Sequence, residues 1–206
     1  MQIAVLTFDG YNELDSFIAA ALLNRLGSRG WKAHITAPTA QVTSMNGLTV
    51  QAQRPLDFAR EADAVIVGSG IRTRDIARDE ALMARLQLDP RRQLIGAQCS
   101  GTLILARLGL LDGVPACTDL TTKPWVQEAG VCTVDQPFIA HGNVATAGGC
   151  MASVYLATWI MWRAAGEAAT REALHYVAPV GEKEPFVERA VGAVARYVND
   201  SATVTP

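Results

Sequence analysis

The chain has 206 residues, of which half are apolar and 18% are charged, and its formal net charge is −2. This composition excludes a disordered chain and favours one α/β domain with a single large core. The near-balanced charge, the scattered basic residues and the lack of a signal peptide predict a cytoplasmic protein that binds neither nucleic acid nor membrane.

The first part of the chain predicts a strand, a helix and a second strand, followed by a small hairpin. Apolar spacing places these elements at residues 2–7, 13–26 and Lys32–Ala37. Asn46 and Gly47 lie between two β-prone runs, residues 41–43 and 48–51, and an Asn-Gly dipeptide in that setting is a specific hairpin signal.

The remainder of the chain continues to alternate strands and helices. Buried strands are predicted at residues 64–67 and 93–97, short strands at 114–118 and 131–135, and a hairpin from 138–140 and 144–146. Helices are predicted at residues 73–88, 102–108, 150–164, 167–176 and 185–198, with a short one around Pro124 and Trp125. Alternation of this kind predicts a mostly parallel sheet covered by helices on both faces, as one domain over 1–198 with a flexible tail over 199–206.

Cys99 is the strongest candidate for a reactive residue. It lies between a buried strand and a helix, in QLIGAQCSGTLIL, where a parallel sheet places its ligand sites. The N-terminus of the following helix favours an anion, which predicts a lowered pKa for this thiol, and Gly101 suits a sharp nucleophile elbow.

The other three cysteines, Cys117, Cys132 and Cys150, are predicted to be structural. Cys117 and Cys132 fall in β-like runs, and Cys150 begins an apolar helix after Gly148 and Gly149. The chain has no CxxC pair and no histidines at zinc-ligand spacing, so we expect no structural metal and no disulfide framework.

Three segments together resemble the ThiJ/PfpI superfamily of the class I glutamine amidotransferase-like fold. They are AVIVGSG, QLIGAQCSGTLILARLGLLDG and GNVATAGGCMASVYLATWI, and the resemblance covers about residues 1–162. It implies a flavodoxin-like three-layer α/β/α sandwich, a homodimer, and an enzyme with no cofactor. The opening FDGYNELDSFIAA is similar to the isonitrile hydratase branch of that superfamily.

By this resemblance, Asp15 takes the place of the acidic residue that works beside the cysteine. Glu13 is a weaker alternative, and in plain sequence terms either residue could simply complement the start of a helix. The backbone N–H groups of Gly70 and Ser100 would face a developing anion, and the Ser100 hydroxyl could also touch substrate.

The chain departs from many relatives at position 119. They carry a histidine about 20 residues after the cysteine, whereas this chain has Asp119, which could bind substrate or transfer a proton. His141 and His175 are predicted to be surface residues, so a cysteine–histidine peptidase is disfavoured. Nearby, Arg72 and Arg74 would be solvated or would bind an anionic substrate or the dimer partner, and Trp125 could line the pocket.

The leading functional hypothesis is hydration of an isonitrile to an N-substituted formamide by Cys99 and Asp15. A glyoxalase or deglycase acting on 2-oxoaldehydes through the same cysteine is a second possibility. A non-enzymatic sensor, in which Cys99 is oxidised to a sulfinate, is a third.

Overall fold

Nine strands and eight α-helices lie within residues 1–198, the part of the chain that the computed structural model describes. The strands are β1 Gln2–Leu6, β2 Lys32–Ala37, β3 Gln41–Thr43, β4 Thr49–Gln51, β5 Arg54–Pro55, β6 Ala64–Val67, β7 Leu94–Gln98, β8 Phe138–His141 and β9 Val144–Ala147. The helices are α1 Glu13–Leu23, α2 Thr73–Ile76, α3 Glu80–Arg85, α4 Gly101–Arg107, α5 Lys123–Glu128, α6 Ser153–Ala165, α7 Glu167–Val177 and α8 Lys183–Val198. The tail predicted over 199–206 lies outside the described residues.

Seven strands form one sheet in the order β5-β2-β1-β6-β7-β9-β8. All neighbouring pairs are parallel except β8 with β9, which form the predicted hairpin. The strands β3 and β4 pair separately around Asn46 and Gly47, as predicted. The carboxyl ends of β1, β6, β7 and β9 therefore meet at one edge of the sheet.

The core lies on both faces of this sheet, which confirms the predicted three-layer arrangement. In β1, Ile3 and Val5 pack into a cluster with buried residues of α1, α6, α7 and α8, whereas Ala4 and Leu6 pack into a second cluster with α4. Since successive strand residues point to opposite faces, a strand buried on both sides must be apolar throughout. Within residues 1–198, no helix combines the length and the apolar character that a bilayer span requires.

Two predicted strands are absent, one predicted helix is divided into two, and another helix ends early. Residues 114–118 and 131–135 are not strands, because they share only the bridge between Ala116 and Thr133, and the Cys117 N–H donates to the Thr146 hydroxyl at 2.8 Å. Residues 73–88 form two helices, since Asp79 caps α3 by accepting from the Leu82 N–H at 2.9 Å. The first helix ends at Leu23 and continues as a 3₁₀ helix, Asn24–Arg29.

Candidate active site

Cys99 occupies a strained turn between β7 and α4. Its φ is +44°, and it is the one non-glycine residue with a positive φ in the described part of the chain. Its N–H donates to the Ala147 carbonyl at the end of β9, at 2.8 Å. A side chain held in this backbone region costs energy and is typical of functional sites, so the predicted nucleophile elbow is present.

The glycine at position 101 lets the helix approach the sheet. A Cβ on Gly101 would lie 2.5 Å from the Val67 carbonyl oxygen and 2.9 Å from that of Gly68, both closer than van der Waals contact. Because only glycine avoids this clash, α4 begins directly against the end of β6. The elbow therefore depends on residues of two adjacent strands.

Asp15 lies beside Cys99, as the resemblance implies. Its side chain is completely buried, and one of its carboxylate oxygens lies within 4.8 Å of the Cys99 Sγ atom. Ser69, in the loop after β6, donates its hydroxyl hydrogen bond to Oδ2, while Oδ1 has no hydrogen-bond partner among residues 1–198. Asp15 does not cap the helix, because Asn12 accepts from the Leu14 N–H at 3.0 Å.

Glu13 has a different role from Asp15. Its Oε1 accepts from the Ser44 hydroxyl, and its Oε2 accepts from the Asn46 side-chain amide at 2.9 Å. These bonds lower the pKa of Glu13 and fix the turn between β3 and β4 to the start of α1. Glu13 therefore positions the hairpin, and Asp15 is the acid next to the thiol.

Cys150 belongs to the site, which the sequence reasoning missed. Its Sγ atom lies within 4.8 Å of both the Cys99 sulfur and an Asp15 oxygen, and it accepts from the Asn12 Nδ2 at 3.2 Å. A signal existed, because Cys150 follows the buried strand β9 just as Cys99 follows β7. Cys117 and Cys132 are not in this cluster, the first being buried and the second exposed.

The electrostatics of the site differ from the prediction for Cys99. Burial raises the pKa of its thiol, and the negative charge of Asp15 raises it further, which reverses the predicted lowering. Burial also raises the pKa of Asp15. Two groups this close titrate together, so the thiolate forms most readily when Asp15 carries the proton.

The predicted anion-binding residues Gly70 and Ser100 lie together, but the Gly70 N–H is already used in a hydrogen bond. The Gly70 N–H donates to the Ser100 Oγ at 3.1 Å, and that hydroxyl lies 2.8 Å from the Thr73 Oγ1. The Ser100 hydroxyl thus connects the elbow to the loop after β6. The Ser100 backbone N–H has no hydrogen-bond acceptor in the described part of the chain, so it is the available donor next to Cys99.

A cleft of about 410 Å³ opens above these residues. Its lining residues are Asn12, Met45, Ser69, Gly70, Ile71, Cys99, Ser100, Asp119, Thr121, Thr122, Trp125 and Cys150. This places the predicted residues Asp119 and Trp125 at the cleft, and none of the chain's three histidines lines it.

Asp119 and Arg74 are held by other contacts. Asp119 Oδ1 accepts from the N–H groups of Thr121 and Thr122, while its buried Oδ2 has no hydrogen-bond partner within residues 1–198. The Arg74 guanidinium lies 4.8 Å from the centre of the Trp125 ring, and Arg72 is exposed. Asp119 therefore stabilises the turn that precedes α5 with one carboxylate oxygen, and its other oxygen has no partner within residues 1–198.

The cluster of Asp15, Cys99 and Cys150 is also the one group of three metal-ligating side chains that residues 1–198 bring within 4.8 Å of one another. Two thiolates and a carboxylate are ligands that zinc accepts, but a closed structural site takes four. Both ends of the Asn12 amide are already used, by the Leu14 N–H and by the Cys150 sulfur. The cluster therefore supplies three ligand atoms, one fewer than a closed structural zinc site has.

Comparison with known proteins agrees with the fold. The model of the DJ-1/PfpI family matches residues 1–162. No curated protein is detectably similar to the sequence.

Three solved structures have the same fold at low identity. Schizosaccharomyces pombe DJ-1 is 16% identical with a TM-score of 0.73, covering 87% of this chain and 100% of its own. A DJ-1 superfamily protein from Salmonella typhimurium is 23% identical with a TM-score of 0.74, covering 85% and 97%. A ThiJ/PfpI family protein from Pseudomonas syringae is 21% identical with a TM-score of 0.74, covering 98% and 89%. With a family match over most of its length, the chain belongs to the DJ-1/PfpI family.

Proposed function

We propose that this protein is a cysteine-dependent hydratase that converts an isonitrile into an N-substituted formamide. The observation that carries the proposal is the pair of Asp15 and Cys99, whose carboxylate and sulfur atoms lie within 4.8 Å below a cleft that no histidine lines. Burial raises the pKa of Asp15, which makes this carboxyl a better proton carrier beside the site of attack than an exposed aspartate would be.

The first half of the reaction uses the proton that the pair shares. The Cys99 thiolate attacks the terminal carbon of R–N≡C, and Asp15 transfers its proton to the same carbon. A C–S bond and a C–H bond form, and the product is a thioimidate, R–N=CH–S–Cys99. Asp15 is left as a carboxylate, ready to act as a base.

The second half adds water. Asp15 takes a proton from the attacking water and passes it to the nitrogen, giving R–NH–CH(OH)–S–Cys99. Loss of the hydroxyl proton to Asp15 then breaks the C–S bond and releases R–NH–CHO. The thiolate and the protonated acid are regenerated, so the cycle needs no metal or organic cofactor.

The cleft supplies contacts for the other parts of the substrate. Met45, Ile71 and Trp125 provide apolar surface for the R group. The Ser100 N–H faces the oxygen of the tetrahedral intermediate, with the Gly70–Ser100 hydrogen bond holding the loop in place. Asp119 contributes its unpartnered oxygen to polar substrate atoms.

A homodimer is part of the proposal. Leu120 and Met151 follow the site residues Asp119 and Cys150 and are 85% and 64% exposed. Exposed apolar side chains next to a cleft are typical of surfaces that a partner covers. Size-exclusion chromatography with light scattering tests this, and a monomer at all protein concentrations would contradict it.

The activity itself is tested with cyclohexyl isocyanide. We expect the infrared band of the isonitrile to disappear, with formation of the formamide, and we expect Cys99→Ser to abolish this. The matched control is Cys132→Ser, which changes an exposed cysteine and leaves turnover intact. Failure to consume any of a panel of isonitriles would refute the proposal, and consumption of methylglyoxal instead would indicate a glyoxalase.

A further inference from the structure

Cys150 has no part in the hydration mechanism, although its sulfur lies within 4.8 Å of the Cys99 sulfur. We propose that Cys150 is a resolving thiol, which forms a reversible disulfide with Cys99 after a hydroperoxide has oxidised Cys99. The proposal goes beyond the hydratase reaction, because the pairing of the two thiols does not depend on isonitrile turnover.

The backbone brings the two cysteines together. In the sheet, Gln98 of β7 is opposite Ala147 of β9, and the Cys99 N–H donates to the Ala147 carbonyl. Only Gly148 and Gly149 separate Ala147 from Cys150. The pairing of β7 with β9 therefore holds the two thiols close together, just beyond the ends of neighbouring strands.

The sulfur atoms are close enough for side-chain movement to join them. A disulfide bond is about 2 Å long, so the two atoms must approach by less than about 3 Å. Cys150 begins a short 3₁₀ helix, Cys150–Ala152, and its side chain is half-buried at the cleft wall. A small hydroperoxide that enters the cleft reaches both sulfurs.

The chemistry balances with the groups present. The Cys99 thiolate attacks one oxygen of ROOH, forming Cys99–SOH while the O–O bond breaks, and RO⁻ takes a proton from Asp15 to leave as ROH. Cys150, losing its proton to Asp15, then attacks the Cys99 sulfur. The S–O bond breaks and the hydroxide leaves as water with that proton, so two thiols and ROOH give a disulfide, ROH and water.

The position of Cys150 beside Cys99 favours this outcome over further oxidation. Burial and the negative charge of Asp15 raise the pKa of the Cys150 thiol, and Asn12, which donates its amide hydrogen to the Cys150 sulfur at 3.2 Å, offsets part of that increase. Without a nearby thiol, a sulfenic acid proceeds to sulfinic acid, which is not reduced by ordinary thiols. The disulfide therefore protects Cys99 in a form that a reductant restores.

The test uses the purified full-length protein with a chelator present. The protein is treated with a small excess of hydrogen peroxide, quenched with N-ethylmaleimide and digested with trypsin and a protease that cuts after acidic residues, which separates Cys132 from Cys150 at Asp135. We expect a peptide in which Cys99 is linked to Cys150, a mass loss of about two hydrogens, and reversal by dithiothreitol.

Variants separate the resolving role from a general effect. In Cys150→Ser, Cys99 gains two oxygen atoms as a sulfinate, whereas Cys132→Ser forms the disulfide like the wild type. The proposal is overturned if wild-type Cys99 reaches the sulfinate as fast as in Cys150→Ser while Cys150 remains labelled, or if Cys99 pairs with another cysteine. Because the readout is mass, neither result depends on hydratase activity.

Discussion

A carboxylate oxygen of Asp15 lies within 4.8 Å of the Cys99 sulfur, although the two residues are far apart in sequence. They meet because β1 and β7 flank β6 in the sheet, so the first turn of α1, which follows β1, and the elbow after β7 lie at the same edge. Burial raises the pKa of both groups. Whether their shared proton lies on the carboxyl or on the thiol therefore decides whether Cys99 is a nucleophilic thiolate.

Replacing Asp15 with asparagine removes the acid while keeping its size. The side-chain amide oxygen of Asp15→Asn would still accept from the Ser69 hydroxyl, so we expect the fold to persist and kcat to fall by about 10²- to 10⁴-fold, the usual contribution of general acid–base catalysis. The control is Asp57→Asn, which alters an exposed carboxylate paired with Arg85. Equal loss of activity in both variants would show that the effect is not specific to Asp15.

The same substitution changes the ionisation of Cys99. The negative charge of Asp15 raises the pKa of the thiol, so removing it lowers that pKa, while burial continues to hold it above that of a free cysteine. In Asp15→Asn, alkylation of Cys99 by iodoacetamide should therefore begin at a lower pH than in the wild type. Peptide mapping follows Cys99, with exposed Cys132 as the internal control, and an unchanged pH midpoint would argue against the coupling.

The elbow predicts a contrast between two glycines in helices. Gly101→Ala would place a Cβ 2.5 Å from the Val67 oxygen. We expect the free energy of unfolding to fall by roughly 1–3 kcal/mol and the enzyme activity to fall as well. Gly192→Ala in α8 meets nothing within 4 Å and should stabilise the protein by about 0.5–1 kcal/mol. Urea unfolding measures both, and a neutral Gly101→Ala would mean that α4 can move away from β6.

Glu13 is predicted to act through the hairpin between β3 and β4. Glu13→Gln weakens the bonds to Ser44 and Asn46, so amide hydrogen exchange should become faster at residues 44–48. Since Met45 lines the cleft, we expect KM to rise while kcat changes little. The control is Glu61→Gln on the surface. A loss of kcat as large as that of Asp15→Asn would instead make Glu13 a catalytic acid.

The sequence patterns predicted the sheet well because its central strands are buried on both faces. Short continuous apolar runs such as 64–67 are typical of such strands. They failed at 114–118, where a single bridge and the Thr146 hydroxyl satisfy the backbone. For the site, Cys99 and Asp15 came from the elbow and the resemblance. Cys150 was missed because local periodicity does not predict the order of strands in the sheet. The pairing of β9 with β7, which brings Cys150 to Cys99, was therefore not predicted.

In the proposed reaction, the isonitrile carbon becomes bonded to the Cys99 sulfur. Mixing excess enzyme with cyclohexyl isocyanide and quenching in acid should reveal, by intact mass and peptide mapping, a transient species heavier by one isonitrile on the peptide that contains Cys99. The species should decay as formamide appears and should be absent in Cys99→Ser. Formamide production with Cys99 unmodified throughout, or equal turnover by Cys99→Ser, would contradict covalent catalysis by Cys99.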